Sequence, residues 1–364
     1  MSLAKHPVLS IILPTRNSAH YLKFTVNNIL NAPDSRFELI VVENSDESNS
    51  ELKQFEGDSR LKILKNEKYL SMSENWLKGF RESKGEWFCF VGSDDGIVSQ
   101  NLTYFLDFLS DTHFDLVTGH DAGFSYSINN LMPTLTIPKF KNSLRITEVK
   151  WPTKRVLAFH KLNYDMPQPY NKAFARRSLI QQELKGLERI PGLAPDLFLG
   201  YLLALKSKKG CNVDLNLFIR GLSEKSNGFL FFNNSQAQES KRFVDDLRNS
   251  MGPGLRKYSL NCRVGMQIEH FIVARTLLGQ PLNSILLKFL SAWCEFSCEN
   301  RDHHRFPFRA NFNAFKNRTL DFAAFSLRKF WLFANFGRHI PSKNRKLTLA
   351  ENATIIDAAD LLKY

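Results

Sequence analysis

The stretch EWFCFVGSDDG, residues Glu86 to Gly96, determines the fold class, because an apolar run ends there at two carboxylates and a glycine. Its core, Trp87 to Val91, is aromatic and β-branched, and it is short enough to be a strand buried on both faces of a parallel sheet. Asp94 and Asp95 then lie at the carboxyl end of a central strand, where open α/β sheets bind ligands. Two such oxygen donors suit Mg²⁺ or Mn²⁺ that also holds substrate phosphates. A plain Asp-Asp-Gly turn is the simpler alternative.

Strands and helices alternate on the amino-terminal side of this stretch. Short apolar, β-branched runs predict strands over Val8 to Leu13, Phe37 to Glu43 and Leu61 to Leu64. Helical spacing of apolar residues predicts a helix after the first strand and another over Met72 to Ser83. Such alternation indicates an α/β fold with a mostly parallel sheet and right-handed crossovers.

The composition fits a large globular protein. The chain has 364 residues, of which 43% are hydrophobic and 23% are charged, enough for a full α/β domain with an addition. Neither a leader pattern nor an apolar run of about 18 residues is found, so we expect a cytoplasmic protein. Five scattered cysteines fit reduced thiols in that compartment.

The net charge of +13 is unevenly distributed. Acidic residues outnumber basic ones over residues 1–120, whereas Lys and Arg dominate from there to residue 346. The basic surplus therefore need not describe the ligand site. Anionic lipid, phosphorylated acceptors and nucleic acid are all compatible partners, and charge alone does not rank them.

Four blocks, in order and each at a strand end or in the preceding helix, resemble a family of enzymes. They are Pro14-Thr15-Arg16-Asn17, Val41-Val42-Glu43-Asn44-Ser45, Ser73-Glu74-Asn75-Trp76 with Gly85-Glu86-Trp87, and Gly92-Ser93-Asp94-Asp95-Gly96. Together they resemble the family 2 glycosyltransferases, which are inverting enzymes with the GT-A fold and nucleotide-sugar donors, typical of bacterial polysaccharide and cell-envelope biosynthesis. The resemblance implies a Rossmann-like, mostly parallel sheet flanked by helices. Helical spacing of apolar residues from Gln236 onward predicts a helical carboxyl-terminal extension.

The resemblance assigns roles to the donor side. Glu43 is expected to accept the ring N–H of the base, uracil by resemblance, although guanine offers equivalent donors. Pro14, Thr15, Arg16 and Asn17 line the same crevice, and Asn75 belongs to the donor site. Asp94 faces the ribose, and Asp95 ligates the Mn²⁺ or Mg²⁺ ion that bridges the two phosphates.

The sequence departs from the family pattern at two of these blocks. Gly92 or Ser93 stands where the Asp-rich motif commonly has a further acid, and Glu74 stands where many members have a basic residue. The implied metal site is accordingly weaker than that of a full Asp-rich motif.

The second half of the chain supplies the expected catalytic base. Asp196 follows the glycine-containing loop Ile190 to Pro195 and precedes an apolar helix, as the family's catalytic aspartate does. An inverting transfer needs one carboxylate to take the acceptor hydroxyl's proton. A helix cap is the alternative role for Asp196. Arg220 lies in a segment that resembles a diphosphate-contacting one, in which Leu222 replaces a common histidine, and a solvated basic loop is its alternative.

We divide the chain into residues 1–120, the nucleotide-sugar-binding half of the GT-A domain, 121–235, the acceptor-binding half, and 236–364, a helical and basic region. Residues 305–345 alternate Phe and Trp with Lys and Arg. Such a segment either meets an anionic membrane surface, which carries a lipid-linked saccharide acceptor, or packs as core. The predicted activity is transfer of a sugar from a nucleotide-sugar donor to a glycan or lipid-linked acceptor, with no nucleic-acid partner. A non-catalytic GT-A-like binding protein is the alternative, and the first loop lacks the Gly-rich pattern of a nucleotidyltransferase.

Overall fold

The computed structural model describes residues 6–46, 50–128, 131–138, 145–149, 166–192, 194–224, 226, 263–282 and 345–362. These residues form one large sheet with helices on both faces. The strands are β1 (Leu9–Thr15), β2 (Phe37–Glu43), β3 (Leu61–Lys65), β4 (Trp87–Phe90), β5 (Gly96–Ile97), β6 (Leu116–Ser125), β7 (Thr134–Ile137), β8 (Ile146–Val149), β9 (Ala173–Arg176), β10 (Gly210–Leu222) and β11 (Arg345–Thr348). The α-helices are α1 (Ala19–Leu30), α2 (Met72–Glu82), α3 (Leu102–Asp111), α4 (Gln181–Leu184), α5 (Pro195–Lys206), α6 (Arg263–Leu277) and α7 (Ile355–Asp360).

The amino-terminal half of the sheet is parallel, as the alternation of strands and helices predicts. Strands β3, β2, β1 and β4 lie side by side in that order, and all three pairs are parallel. The register pairs Thr15 with Glu43 at the carboxyl ends of β1 and β2. This edge of the sheet therefore collects the residues that follow each strand.

Beyond β4 the sheet becomes mixed. Strand β9 is antiparallel to both β4 and β6, and β7 is antiparallel to β6. The long strand β10 runs parallel to β6, and its far end pairs with the two-residue strand β5. This last pairing places Ile219 opposite Gly96, so the end of β10 lies against the Asp94-Asp95 turn.

Alternating side chains divide the core between the two faces. Along β1, Ile12 packs with α2, α5 and α6 on one face, whereas Ile11 and Leu13 pack with α1 and α3 on the other. Because both faces are covered, β1, β2 and β4 are almost completely buried, which explains their largely apolar sequence, whereas the edge strand β3 is partly exposed. Trp87, Phe88 and Phe90 of β4 have no solvent exposure.

Two features differ from the sequence-based expectation. Apolar spacing over Leu179 to Leu187 predicts a helix, but the structure has a short 3₁₀ turn, Arg177–Leu179, followed by the four-residue helix α4. The carboxyl-terminal region is also not helical throughout, because β11 is a strand paired with β7, and α7 then packs on α1, β5 and β10. In the described parts of the chain no helix is long and apolar enough to cross a membrane. The basic aromatic segment lies outside the described residues, apart from Arg345.

Candidate functional site

The loops after β1 and β2 are joined at the parallel edge. Asn17 adopts a left-handed conformation with φ 49°, and this turns its backbone N–H toward Ser45 Oγ, at 2.9 Å. Its side chain donates to Asp46 Oδ2 at 3.0 Å and accepts from the Asp46 N–H at 3.1 Å. Arg16 pairs with Asp46 and lies 4.4 Å over the Tyr69 ring. Pro14 to Asn17 thus face the end of β2, where Glu43 is buried.

Helix α2 contributes an internal network to this edge. Asn75 is buried, and its amide donates to the Val42 carbonyl at 3.1 Å and accepts from Asn66 at 2.8 Å. These two contacts tie α2 to β2 and to the loop after β3, and the role of Asn75 in the donor site stays a prediction. Glu74 closes a capping box with Ser71, so it stabilises the start of α2.

Asp95 is the centre of a hydrogen-bond cluster. It has no solvent exposure, and its Oδ2 accepts from the Gly92 N–H at 2.8 Å and from the Asn171 amide at 2.5 Å. Its Oδ1 accepts from the Gly221 N–H at 2.7 Å, and the Tyr170 hydroxyl also bonds the carboxylate. Burial, with the charge of Asp94, raises the pKa of Asp95 to about 7, against these hydrogen bonds. Asp95 therefore joins three separate segments of the chain.

Two glycines make room for this cluster. A Cβ at position 92 would collide with both the Tyr170 hydroxyl and Asp95 Oδ2. A Cβ at position 221 would collide with the Asp94 carbonyl oxygen. The Tyr170 hydroxyl thus occupies the space that a side chain at position 92 would need, which accounts for glycine at this place in the motif.

Asp94 points toward a different set of partners. Its Oδ2 accepts from the Ser223 hydroxyl at 2.6 Å and from the Ser226 hydroxyl, and both serines follow β10. Burial raises the pKa of Asp94, while the serine hydrogen bonds oppose that rise. One carboxylate and two hydroxyls form a small oxygen cluster at the turn.

Of the two expected metal ligands, Asp94 and Asp95, only Asp94 has surroundings that fit a divalent ion. Mg²⁺ is commonly held by one or two carboxylates, with substrate phosphates and water completing its shell. Asp94 with Ser223 and Ser226 meets this description, whereas both oxygens of Asp95 already bond protein donors. In the described part of the chain no group of three or more His, Cys, Asp or Glu is placed to hold a metal. The geometry therefore favours Asp94 over Asp95 as the ligand, unlike the roles that the resemblance implies.

Asp196 is the second residue of α5 and is half-buried. The N-cap is Ala194, which makes no side-chain cap hydrogen bond, whereas the Asp196 carboxylate bonds N–H groups of the first turn. A helix-stabilising role for Asp196 therefore stands beside the expected catalytic one. Burial raises the pKa of Asp196, while the N–H groups of Leu197 and of Asp196 itself, and then the charge of Arg220, lower it. A carboxyl group with a raised pKa at a helix start is suited to proton transfer.

Arg220 is held beside Asp196 by a residue that the sequence analysis does not identify. Its guanidinium lies 3.0 Å from Asp121 Oδ2 on the neighbouring strand β6, and nearly half of the side chain is exposed. The charges of Asp95, Asp94 and Asp196 all act on the Tyr170 hydroxyl, whose pKa is raised mainly by burial. The structure therefore brings Asp94, Asp95, Asp196 and Arg220 to one site.

Other contributors could be found only partly from the sequence. Thr25 and Asn28 lie on the buried face of α1, where Thr25 Oγ1 donates to the Asp95 carbonyl at 2.6 Å and Asn28 accepts from the Ile97 N–H at 2.9 Å. In the sequence, such residues can be recognised as polar positions on an otherwise apolar helix face. Tyr170 and Asn171 give no local signal, because their partners lie more than 70 residues away.

Comparison with known proteins identifies the class. Residues 10–181 match the Glycosyl transferase family 2. The chain is 30% identical over 118 residues to the poly(ribitol-phosphate) beta-N-acetylglucosaminyltransferase TarP of Staphylococcus aureus (strain N315), covering 30% of this chain and 36% of that protein. It is 27% identical over 96 residues to the UDP-Glc:alpha-D-GlcNAc-diphosphoundecaprenol beta-1,3-glucosyltransferase WfgD of Escherichia coli, covering 26% and 38%.

A solved structure is also similar to the chain. It is S. aureus TarS, residues 1–349, in complex with UDP-GlcNAc, at 14% identity and a TM-score of 0.48, covering 95% of this chain and 97% of that one. The two curated relatives are matched over little more than a third of their own length. The match over residues 10–181 agrees with the resemblance to the family 2 glycosyltransferases. The large mixed sheet flanked by helices confirms the α/β fold class expected from the sequence.

Proposed function

We propose that this protein is an inverting glycosyltransferase that moves a sugar from a nucleoside diphosphate donor to a glycan or lipid-linked saccharide. The observation that carries this proposal is the pairing of two unlike carboxylates in one site, with Asp94 inside the family-matched residues 10–181 and Asp196 beyond them. Asp94 lies among hydroxyl groups at the end of the β4 segment, and Asp196 lies at the start of α5 with a raised pKa. The surroundings of Asp94 suit the side of the site that binds the donor diphosphate, and those of Asp196 suit the side that accepts a proton.

The donor is bound along the parallel edge. Glu43 at the end of β2 is the carboxylate that can accept a ring N–H, and the Pro14 to Asn17 loop forms the adjoining wall. We favour uracil as the base, so the preferred donor class is a UDP-sugar, in agreement with the UDP-Glc named for the relative WfgD. Arg220 is the cation placed to meet phosphate oxygens.

The transfer step requires one proton acceptor. The acceptor hydroxyl gives its proton to a carboxylate oxygen of Asp196 while its oxygen attacks the anomeric carbon. The bond from that carbon to the diphosphate oxygen breaks on the opposite face, and a nucleoside diphosphate leaves. The carboxylate must be ionised to act, and the helix N–H groups and Arg220 favour that form.

The expected Mn²⁺ or Mg²⁺ would be held by Asp94, with Ser223 and Ser226 beside it. When bound, such an ion neutralises charge that develops on the leaving diphosphate. Asp95 has a different task in this proposal. It fixes the turn that carries Asp94, through its hydrogen bonds to the Gly92 and Gly221 amides.

Transfer and binding assays test the proposal. Thermal shift with UDP, GDP and a set of nucleotide sugars identifies the donor, because a ligand stabilises according to the logarithm of its concentration over Kd. Release of nucleoside diphosphate is then measured with glycan and lipid-linked acceptors, with Mn²⁺ and with EDTA. Donor-dependent stabilisation without turnover on any acceptor, and without hydrolysis, would support the non-catalytic binding alternative.

Contact with an anionic membrane remains a prediction from the sequence. The aromatic and basic residues that motivate it lie outside the described residues. Co-sedimentation with anionic and neutral vesicles tests it, and equal binding to both, or binding to neither, would contradict an electrostatic contact.

A further inference from the structure

The loop before Asp196 packs against a helix from the carboxyl-terminal region. Gly192 in this loop has φ +89°, a conformation that side-chain-bearing residues rarely adopt. A Cβ at this position would lie 2.6 Å from the Cδ2 and Nε2 atoms of His270 on α6. The imidazole of His270 therefore lies directly on the backbone at Gly192, and glycine is required there for both conformation and space.

The same imidazole bonds the residue that begins α5. The Ala194 N–H donates to His270 Nε2 at 2.9 Å. Because Nε2 accepts, the neutral ring carries its proton on Nδ1. Ala194 is the N-cap of α5, and Asp196 follows two residues later. His270 thus fixes the backbone immediately before the proposed base.

The position of His270 is itself set by the core. The side chain has no solvent exposure, and its helix neighbours Ile268 and Phe271 pack in the core cluster that includes α5. The Phe271 ring lies 5.7 Å from the Tyr201 ring of α5 in an edge-to-face arrangement. Helices α5 and α6 therefore hold the imidazole and the start of α5 in a fixed relation.

We propose that His270 is a positioning residue for Asp196. The inference rests on the proposed function, since it assumes that Asp196 is the base. It assigns to α6, which lies outside the family-matched residues 10–181, a part in building the site. Misplacing a reacting group by about 1 Å costs on the order of 100-fold in rate, so loss of the Ala194 contact lowers turnover without changing donor binding.

A matched pair of variants tests the proposal. His270→Gln keeps an acceptor at about the reach of Nε2, whereas His270→Asn is one methylene shorter and places its acceptor near Nδ1. We expect His270→Asn to lower kcat by about 10- to 100-fold, with Kd for UDP and KM for the donor within about twofold of the wild type. We expect His270→Gln to restore most of kcat.

Two further variants serve as controls in the same assay. Glu269→Gln alters the neighbouring residue of α6, which is buried and whose carboxylate oxygens have no hydrogen-bond partner among the described residues, and wild-type kcat is expected. Asp196→Asn tests the proposed function separately. Wild-type kcat in that variant would refute Asp196 as the base, whereas the contact of His270 with Ala194 would be unaffected. The positioning role is overturned if His270→Asn and His270→Gln behave alike, or if either weakens UDP binding in parallel with kcat.

Discussion

The Asp95 cluster and the loop before Asp196 each contain a carboxylate, but the two carboxylates have different surroundings. Asp95 is fully buried, and its oxygens accept from the Gly92, Gly221, Asn171 and Tyr170 donors. Asp196 is half-buried, and in the described part of the chain the hydrogen bonds that affect its pKa come from N–H groups at the start of its own helix. The first carboxylate is committed to joining segments, and the second keeps its capacity to exchange a proton. Burial raises the pKa of both, so geometry and not charge separates their roles.

The largest expected effect is on turnover at Asp196. Asp196→Asn removes the proton acceptor and leaves the helix start intact, so kcat should fall by about 10² to 10⁴. The melting temperature should not fall, because a buried charge is replaced by a neutral group of the same shape. Nucleoside diphosphate release measures kcat, UDP titration measures Kd for UDP, and thermal melting gives the melting temperature. A variant with near-normal kcat would show that another group accepts the proton.

The same substitution at Asp95 should affect stability. In Asp95→Asn the amide NH₂ faces either the Gly221 N–H, now bonded to Oδ1, or the Gly92 and Asn171 donors, now bonded to Oδ2, so buried donors are left unsatisfied. The expected loss in the free energy of unfolding is about 1–3 kcal/mol, measured by urea denaturation with the wild-type slope as reference. Equal unfolding free energies for Asp95→Asn and the wild type would contradict the description of Asp95 as a joining residue.

A smaller effect is expected for the tyrosine that bonds Asp95. Tyr170→Phe removes one hydrogen bond while the Asp95 carboxylate keeps its other donors and the ring stays packed beside Trp76, so it should cost about 0.5–1.5 kcal/mol. Tyr201→Phe is the matched control, because the buried Tyr201 hydroxyl has no hydrogen-bond partner within the described parts of the chain. Its removal should leave stability unchanged or improved. If both variants lose the same stability, the Tyr170 hydroxyl is not a specific part of the cluster.

The sequence predicts the parallel half of the fold closely. Strand β2 begins and ends at the predicted residues, and β1, β3, β4 and α2 lie within two residues of prediction at each end. Each is specified by local pattern: β-branched runs, helical spacing and the cap at Ser71. The carboxyl-terminal strand β11 was not predicted, because it is short, exposed and stabilised by a pairing with the distant strand β7.

The site was predictable as a set of positions but not as a set of contacts. Motif order placed Asp94, Asp95 and Asp196 at the ends of the correct elements. The contacts of Asp95 depend on β10 and on the Tyr170-Asn171 segment, and those of Ala194 depend on His270, all through long-range packing. Asn75, whose role in the donor site stays a prediction, also joins α2 to β2, a contact that motif order does not reveal.

The pH dependence of kcat/KM tests the central claim most directly, since it reports the ionisation of the essential base in the free enzyme. A base must be deprotonated, and burial raises the pKa of Asp196, so kcat/KM should fall as the pH drops through a value above the usual Asp pKa of about 3.9. In Asp196→Asn the residual rate should lose this acidic limb, while UDP affinity keeps its wild-type pH dependence. A variant that retains the limb unchanged would contradict the assignment of Asp196 as the base.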